Sequence, residues 1–253
     1  MIHAASLGLI VLAAAGPLEA ASAPCWIDHG ALVVSAAFGE VSGDFVLDLS
    51  APVSRINIDQ AQAHDILDPI ATAPLRLAGT RRIRQVQVAN LSEATAAFDT
   101  TINGILGIDA LAGYSLDITF APCRFSLTRH RLQGGQPLTL IAGVPVIGAA
   151  ISDGHSARSG HFRLGTTGLA TQLTQAGPAG HRPLRLRALS MGGELYENLP
   201  ATLMTDPPDG IDGTIGMAVW GRGRLQLDLA NRRWRFVPTL PVAAKPARLR
   251  NTP

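Results

Sequence analysis

Phe45-Val-Leu-Asp48-Leu-Ser50-Ala-Pro-Val-Ser54 aligns without a gap on Phe162-Arg-Leu-Gly165-Thr-Thr167-Gly-Leu-Ala-Thr171. Phe, Leu and two hydroxyl positions coincide, and Asp48 falls opposite Gly165. Farther along, Asn103-Gly-Ile-Leu-Gly107-Ile-Asp-Ala-Leu111 matches Asp212-Gly-Thr-Ile-Gly216-Met-Ala-Val-Trp220. Each of these boxes leads into an amphipathic strand with an acidic residue, Ser115-Leu-Asp117-Ile and Gln226-Leu-Asp228-Leu. The same order of segments in both halves implies a duplicated fold.

The rest of the chain reads as short strands with period-two alternation, broken by Gly, Pro or Asp. In the first half these are Ala31–Phe38, Asp44–Leu47, Leu75–Leu77, Arg84–Val88 and Arg124–Thr128. The second half answers with His161–Leu164, Leu184–Leu189, Leu199–Met204, Arg224–Leu229 and Arg233–Val237. Gly79-Thr80 and Met191-Gly-Gly193 mark corresponding hairpin tips. Helix is scarce: Asp59–Leu67, with Asp59 as its N-cap, is the best segment, and Gly107–Leu111 adds a turn. Gln133-Gly-Gly-Gln-Pro137 reads as the linker between halves. The expectation is an all-β chain in two similar barrel-like lobes, 24–132 and 138–237, with a few short helices and a loose tail over 238–253.

Composition agrees with a globular chain. Apolar residues make up 47% and charged residues 16% of 253, enough for a sizeable core and against global disorder. A formal charge of +2 gives no argument for nucleic acid, and aromatics at 5% are too few to interleave with a basic groove. The arginine groups (Arg81, Arg82, Arg84; Arg222, Arg224; Arg232, Arg233, Arg235) alternate with apolar residues, as solvent faces of strands do. Seven histidines form no His-x-x-x-His pair, so neither a metal nor any other cofactor is expected.

Residues 1–23 read as a signal peptide: an apolar run from Ala4 to Ala15, then small residues, with cleavage after Ala20 or Ser22. That run is too short to span a bilayer, and no lipobox precedes Cys25, so no stable membrane anchor is expected. The expected location is periplasmic or secreted. In such a compartment the two cysteines, Cys25 and Cys123, would staple the first and last strands of lobe one; two buried free thiols are the alternative.

These features together resemble the pepsin/retropepsin-like aspartic proteases, in particular bacterial members, over about Cys25 to Val237. The resemblance implies the bilobal acid-protease fold, with a strand ending in Asp-Thr/Ser-Gly in each lobe and an Ile/Leu-Leu/Ile-Gly segment crossing behind it. Val46-Leu-Asp48-Leu49-Ser50 and the box ending at Gly107 occupy those places in lobe one. Arg163-Leu-Gly165-Thr166-Thr167-Gly168 and the box ending at Gly216 occupy them in lobe two. A shift of one residue would instead set Thr166-Thr167-Gly168 on Asp-Thr-Gly, again without a carboxylate.

That loss matters chemically. Two carboxylates about 3 Å apart cannot both ionise, so they share a proton and divide the acid and base roles. Asp48 alone has no such neighbour. Losing one positioned acid or base costs on the order of 10²–10⁴ in rate. The reading is an exported aspartic-protease-like protein with an incomplete dyad, Asp48 its residual catalytic group, binding a peptide or protein segment between the lobes. One alternative is an active peptidase drawing a second carboxylate from Asp153 or from a dimer partner. Another is a non-catalytic structural or interaction module with no functional cleft, the space between its lobes filled by bulky side chains from the hairpins at Gly79 and Gly192. Ser156, in Gly154-His-Ser156-Ala-Arg158, lies in a polar turn rather than a nucleophile elbow. Trp220 and Trp234 read as packing aromatics, and Asp109, Asp117 and Asp228 as parts of the structural pattern. The oligomeric state is not readable.

Overall fold

The computed structural model describes residues 22–174, 184–204 and 209–239. The signal segment up to residue 21 and the tail from residue 240 lie outside the described residues. Two closed six-stranded rings carry the duplication. In the first, Ala31–Phe38, Val41–Leu47, Ile102–Leu106, Arg55–Asn57, Thr80–Ala89 and Ile70–Leu77 are neighbours in that order, and the last pairs back onto the first. In the second, Val144–Ser152, Ala157–Leu164, Gly213–Ile215, Thr171–Leu173, Glu194–Leu203 and Leu184–Met191 repeat the order and the closure. Closing each sheet on itself removes exposed edges.

The two rings are joined by a shared sheet. Its order is Gln136–Pro137, Arg233–Pro238, Gly223–Asp228, Ser115–Phe120, Cys123–Thr128 and Ser22–Asp28. The central pair is antiparallel with Gln226 opposite Asp117, so the lobes meet across an approximate two-fold. The expected linker is partly strand: Gln136 pairs with Trp234 and Pro137 with Arg233, the place that Ser22–Pro24 takes beside Cys123–Thr128. The Cys25–Cys123 disulfide joins the first and last strands of lobe one across a sequence separation of 98. No helix among the described residues is long and apolar enough to cross a membrane.

Packing explains why the same residue types recur. A Cβ at Gly104 would lie 2.4 Å from Arg55 O and 2.9 Å from the Phe45 ring; at Gly213 it would lie 2.3 Å from Gln172 O and 3.0 Å from the Phe162 ring. Each Phe therefore lies on a glycine of its own box, and a side chain there would expel it. One apolar core runs through both lobes and the shared sheet, including Phe45, Leu47, Leu49, Phe162, Leu164, Trp220 and Trp234. Trp220 and Trp234 meet edge to face with centroids 6.4 Å apart.

The helix differs from expectation. It spans Ile58–Ala63, and its N-cap is Asn57, whose side chain accepts from Asp59 N. Asp65, with φ at 56°, turns the chain left-handed and stops it short of Leu67. The expected turn appears as a 3₁₀ segment, Ile108–Leu111.

Both long hairpins turn through two residues of positive φ, Ala78-Gly79 and Gly192-Gly193, which matches strand twist. Neither tip covers Asp48. Leu77 pairs with Ala36, at the end of its strand far from Leu32, the residue that bonds Thr166. The Gly192 tip packs against Trp234 of the shared sheet. Both tips thus lie beside strands of the shared sheet, Ala78–Thr80 bordering a hollow with Ala23 and Gly192 meeting Trp234.

Candidate functional site

The loop carrying Asp48 is set by a threaded strand. Ile102–Leu106 runs parallel to Val41–Leu47 and antiparallel to Arg55–Asn57, so residues 48–54 must cross over its end. Gly213–Ile215 does the same between Ala157–Leu164 and Thr171–Leu173. Ser54 fixes the first crossing: its hydroxyl donates to Asp109 Oδ1 at 2.6 Å and accepts from Gly107 N at 3.0 Å. Thr171 repeats the second of these contacts, accepting from Gly216 N at 3.3 Å. Ala218 stands where Asp109 stands, so lobe two lacks the first. Gly107 and Gly216 are required because a Cβ would lie within 2.9 Å of carbonyl oxygens of the crossing loop in both lobes.

The loops touch through one side chain. Thr166 Oγ1 accepts from Leu49 N at 3.1 Å and donates to Leu47 O at 2.6 Å, while Leu32 N donates to Thr166 O at 2.8 Å. Thr166, Leu47 and Leu49 have no accessible surface. This settles the register. Thr166 lies opposite Leu49 and Gly165 opposite Asp48; the one-residue shift is excluded because Thr166, not Thr167, makes the cross-lobe bonds. Thr167 is exposed and Gly168 half-buried, its carbonyl accepting from Met217 N. On the other side Leu49 stands where a second threonine would return the bonds, and it fills that space with apolar bulk.

Asp48 is half-buried. Its Oδ1 accepts from Ser50 N at 2.8 Å and from Ser50 Oγ at 2.6 Å, which closes the loop on itself. Its Oδ2 has no hydrogen-bond partner among the described residues. Across from it, a Cβ at Gly165 would lie 2.5 Å from Thr214 Cγ2 and 3.0 Å from Ile215 O. The place of a second carboxylate is therefore taken by a methyl group.

The charged side chain beside that methyl is a cation. Arg163 lies two residues before Gly165, hence on the same strand face, and its Nε donates to Thr214 Oγ1 at 3.3 Å. Burial pulls the Arg163 guanidinium below its ordinary value, and the negative charge of Asp48 acts in the opposite sense. No ion pair joins the two among the described residues. Arg163 and Thr214 were not singled out from the sequence. The available signal was a charge two positions before Gly165, where lobe one has Val46, buried in an apolar cluster with Ile105.

The other candidates fall elsewhere. Asp153 lies in an exposed turn, where its Oδ1 accepts from His155 N and Ser156 N, each at 2.8 Å. Those local bonds hold the Ser156 turn together. Asp117 forms a surface pair with Arg224. Asp228 is buried and receives Leu132 N and Asn231 N, each at 3.0 Å, tying the inter-lobe segment to the shared sheet. Burial would raise its carboxyl, but those donors hold it below its ordinary value.

No protein-family model and no curated protein matches the sequence. Among solved structures, the crystal structure of aspartic proteinase from Irpex lacteus matches with a TM-score of 0.59 and 13% identity, over 89% of this chain and 99% of that one. At that identity the likeness speaks to architecture. With the two rings, the threaded strands and the Thr166 link, it gives this chain the bilobal acid-protease fold.

Proposed function

We propose that this chain is an exported, non-catalytic member of that architecture which binds a peptide or protein segment between its lobes. The observation that carries the reading is the site across from Asp48: Gly165, with Thr214 Cγ2 within 2.5 Å of where a side chain would begin. A shared proton needs a second carboxylate at hydrogen-bond distance, and the charged side chain bonded to Thr214 on the Gly165 side is Arg163, a cation. What remains is one open carboxylate oxygen and a half-buried guanidinium whose terminal nitrogens bond no described residue. An acceptor beside a donor, neutral as a pair, complements the N–H and C=O of a peptide unit.

Export is supported by the apolar N-terminal run and by a disulfide of the kind that persists in oxidising compartments. Cleavage after Ala20 keeps the first strand whole, since Ser22 and Ala23 already pair with Ser126 and Phe125. The test uses protein beginning at Ala21, incubated with denatured casein from pH 3 to 7, and scored in parallel for binding to a fluorescent unstructured-peptide library. We expect no cleavage, and binding that Arg163→Met weakens. Cleavage abolished by Asp48→Asn would overturn the reading in favour of an active peptidase. Absence of both cleavage and binding would overturn it in favour of a structural module.

A further inference from the structure

Away from the cleft, two segments bring arginines to one tyrosine. Arg82 and Arg84 project from the same face of strand Thr80–Ala89, and Arg129 follows strand Cys123–Thr128. Arg82 Nε donates to Tyr114 Oη at 3.1 Å. The Arg82 and Arg129 guanidinium carbons lie 5.7 and 5.9 Å from the centre of the Tyr114 ring. Arg84 is anchored beside them by a 2.6 Å bond to Ala112 O, and its Nε is shut off from solvent without a partner. Arg129 and Arg131 line an adjoining cavity of about 290 Å³ with Tyr114, Ser115 and Asn231.

None of these arginines forms an ion pair among the described residues. Asp228 borders the cavity, but its oxygens are taken by Leu132 and Asn231, and its charge is set against Arg131. Like charges gathered on one ring repel unless an anion joins them. A planar carboxylate has two oxygens and is satisfied by one guanidinium fork, whereas a tetrahedral oxyanion can engage several at once.

We infer that the Tyr114 cluster is a binding site for a phosphate-type dianion, either inorganic phosphate or a phosphate monoester on a larger molecule, held by Arg82, Arg84 and Arg129. The site is independent of the cleft and of the function proposed for it. The arginine field also marks Tyr114 for measurement. Burial alone would raise its hydroxyl, but the hydrogen bond from Arg82 and the neighbouring Thr80 and Arg129 side chains hold it below the ordinary value, while burial pushes Tyr196 well above it. The chain has only two tyrosines, so the first tyrosinate to form on titration reports this site.

The experiment titrates tyrosinate absorbance of the whole chain in chloride, acetate, inorganic phosphate or glycerol phosphate at equal ionic strength, with affinities from calorimetry at pH 7.5. Phosphate should move the first titration upward saturably, since it neutralises the arginines, while chloride and acetate should not. Arg82→Gln and Arg129→Gln should each weaken phosphate tenfold or more while urea unfolding stays cooperative. Tighter binding of glycerol phosphate assigns the site to a phosphate ester, and tighter binding of inorganic phosphate to the free ion. An equal shift in chloride, or phosphate binding unchanged in both arginine variants, would overturn the inference.

Discussion

Replacing Thr166 by valine keeps the shape of the side chain and deletes one oxygen, so it isolates what the link between the loops is worth. That oxygen serves Leu49 N at 3.1 Å and Leu47 O at 2.6 Å, and all three residues have no accessible surface. Water cannot replace either bond without opening the contact between lobes. Each stranded buried polar group costs about 1–3 kcal/mol, so Thr166→Val, which strands two, should lose about 2–6 kcal/mol. Against a total of roughly 5–15 kcal/mol for a folded domain, that is a large fraction. The assay is urea unfolding followed by far-UV circular dichroism and tryptophan fluorescence, with the loss read from the midpoint at unchanged slope. Trp26 reports lobe one, and Trp220 and Trp234 report lobe two, so the fluorescence samples both sides of the link. A loss under about 1 kcal/mol would refute the reasoning, because isosteric removal of a doubly bonded buried hydroxyl cannot be that cheap if the bonds are made.

Restoring a carboxylate should not restore a dyad. Gly165→Asp places its Cβ 2.5 Å from Thr214 Cγ2 and beside Arg163, so we expect a stability loss of about 1–3 kcal/mol and no casein cleavage from pH 3 to 7. Acid-optimum cleavage by that single variant would show that only the second carboxylate was missing. Asp228→Asn should lower stability at neutral pH, with a gap from wild type that closes on acidification. The folded carboxyl lies below its ordinary value of 3.8, so its contribution is full above that value and is lost as pH falls through the folded one. Thermal melts at pH 7, 4 and 2.5 measure this, and a gap that does not change with pH would count against it.

The duplication was legible because the contacts that make it are local in type. A Phe ring on a glycine of its own box, and a glycine under a crossing loop, need the same residues in both lobes whatever the loops do chemically. Strand Val144–Ser152 escaped detection because Pro145, Gly148 and the adjacent Ala149 and Ala150 blur the alternation, although Val146 and Ile147 are buried on opposite faces. Ser22–Asp28 was hidden behind small residues that also suit a cleavage site. The helix cap was displaced because Asn57, at the end of a strand, competes with Asp59 for the same turn. Arg163 and Thr214 could not be found by pattern. Their importance comes from where the threaded strand sets Thr214 against Gly165, a tertiary fact with no period in the sequence.

The two loops divide the Asp and Thr positions between them in complementary ways, and the physical roles of those residues differ. Loop one has Asp48 followed by Leu49, and loop two has Gly165 followed by Thr166. Holding the loops together and sharing a proton are separate tasks. The first is a demand of folding: with Leu49 already apolar, Thr166 is the one side chain of these two motifs that bonds across the lobes, and its loss strands buried backbone groups. The second is a demand of catalysis alone, and a glycine in place of the carboxylate strands nothing. With Thr214 and Arg163 on that side, a carboxylate at position 165 would meet a methyl group and a cation rather than a proton to share. Asp48 is kept by its bonds to Ser50, which stabilise the loop without any partner across the cleft. Arg163, the charged side chain bonded to Thr214 on the Gly165 side, stays protonated at neutral pH and so cannot share a proton with Asp48 as a second carboxylate would.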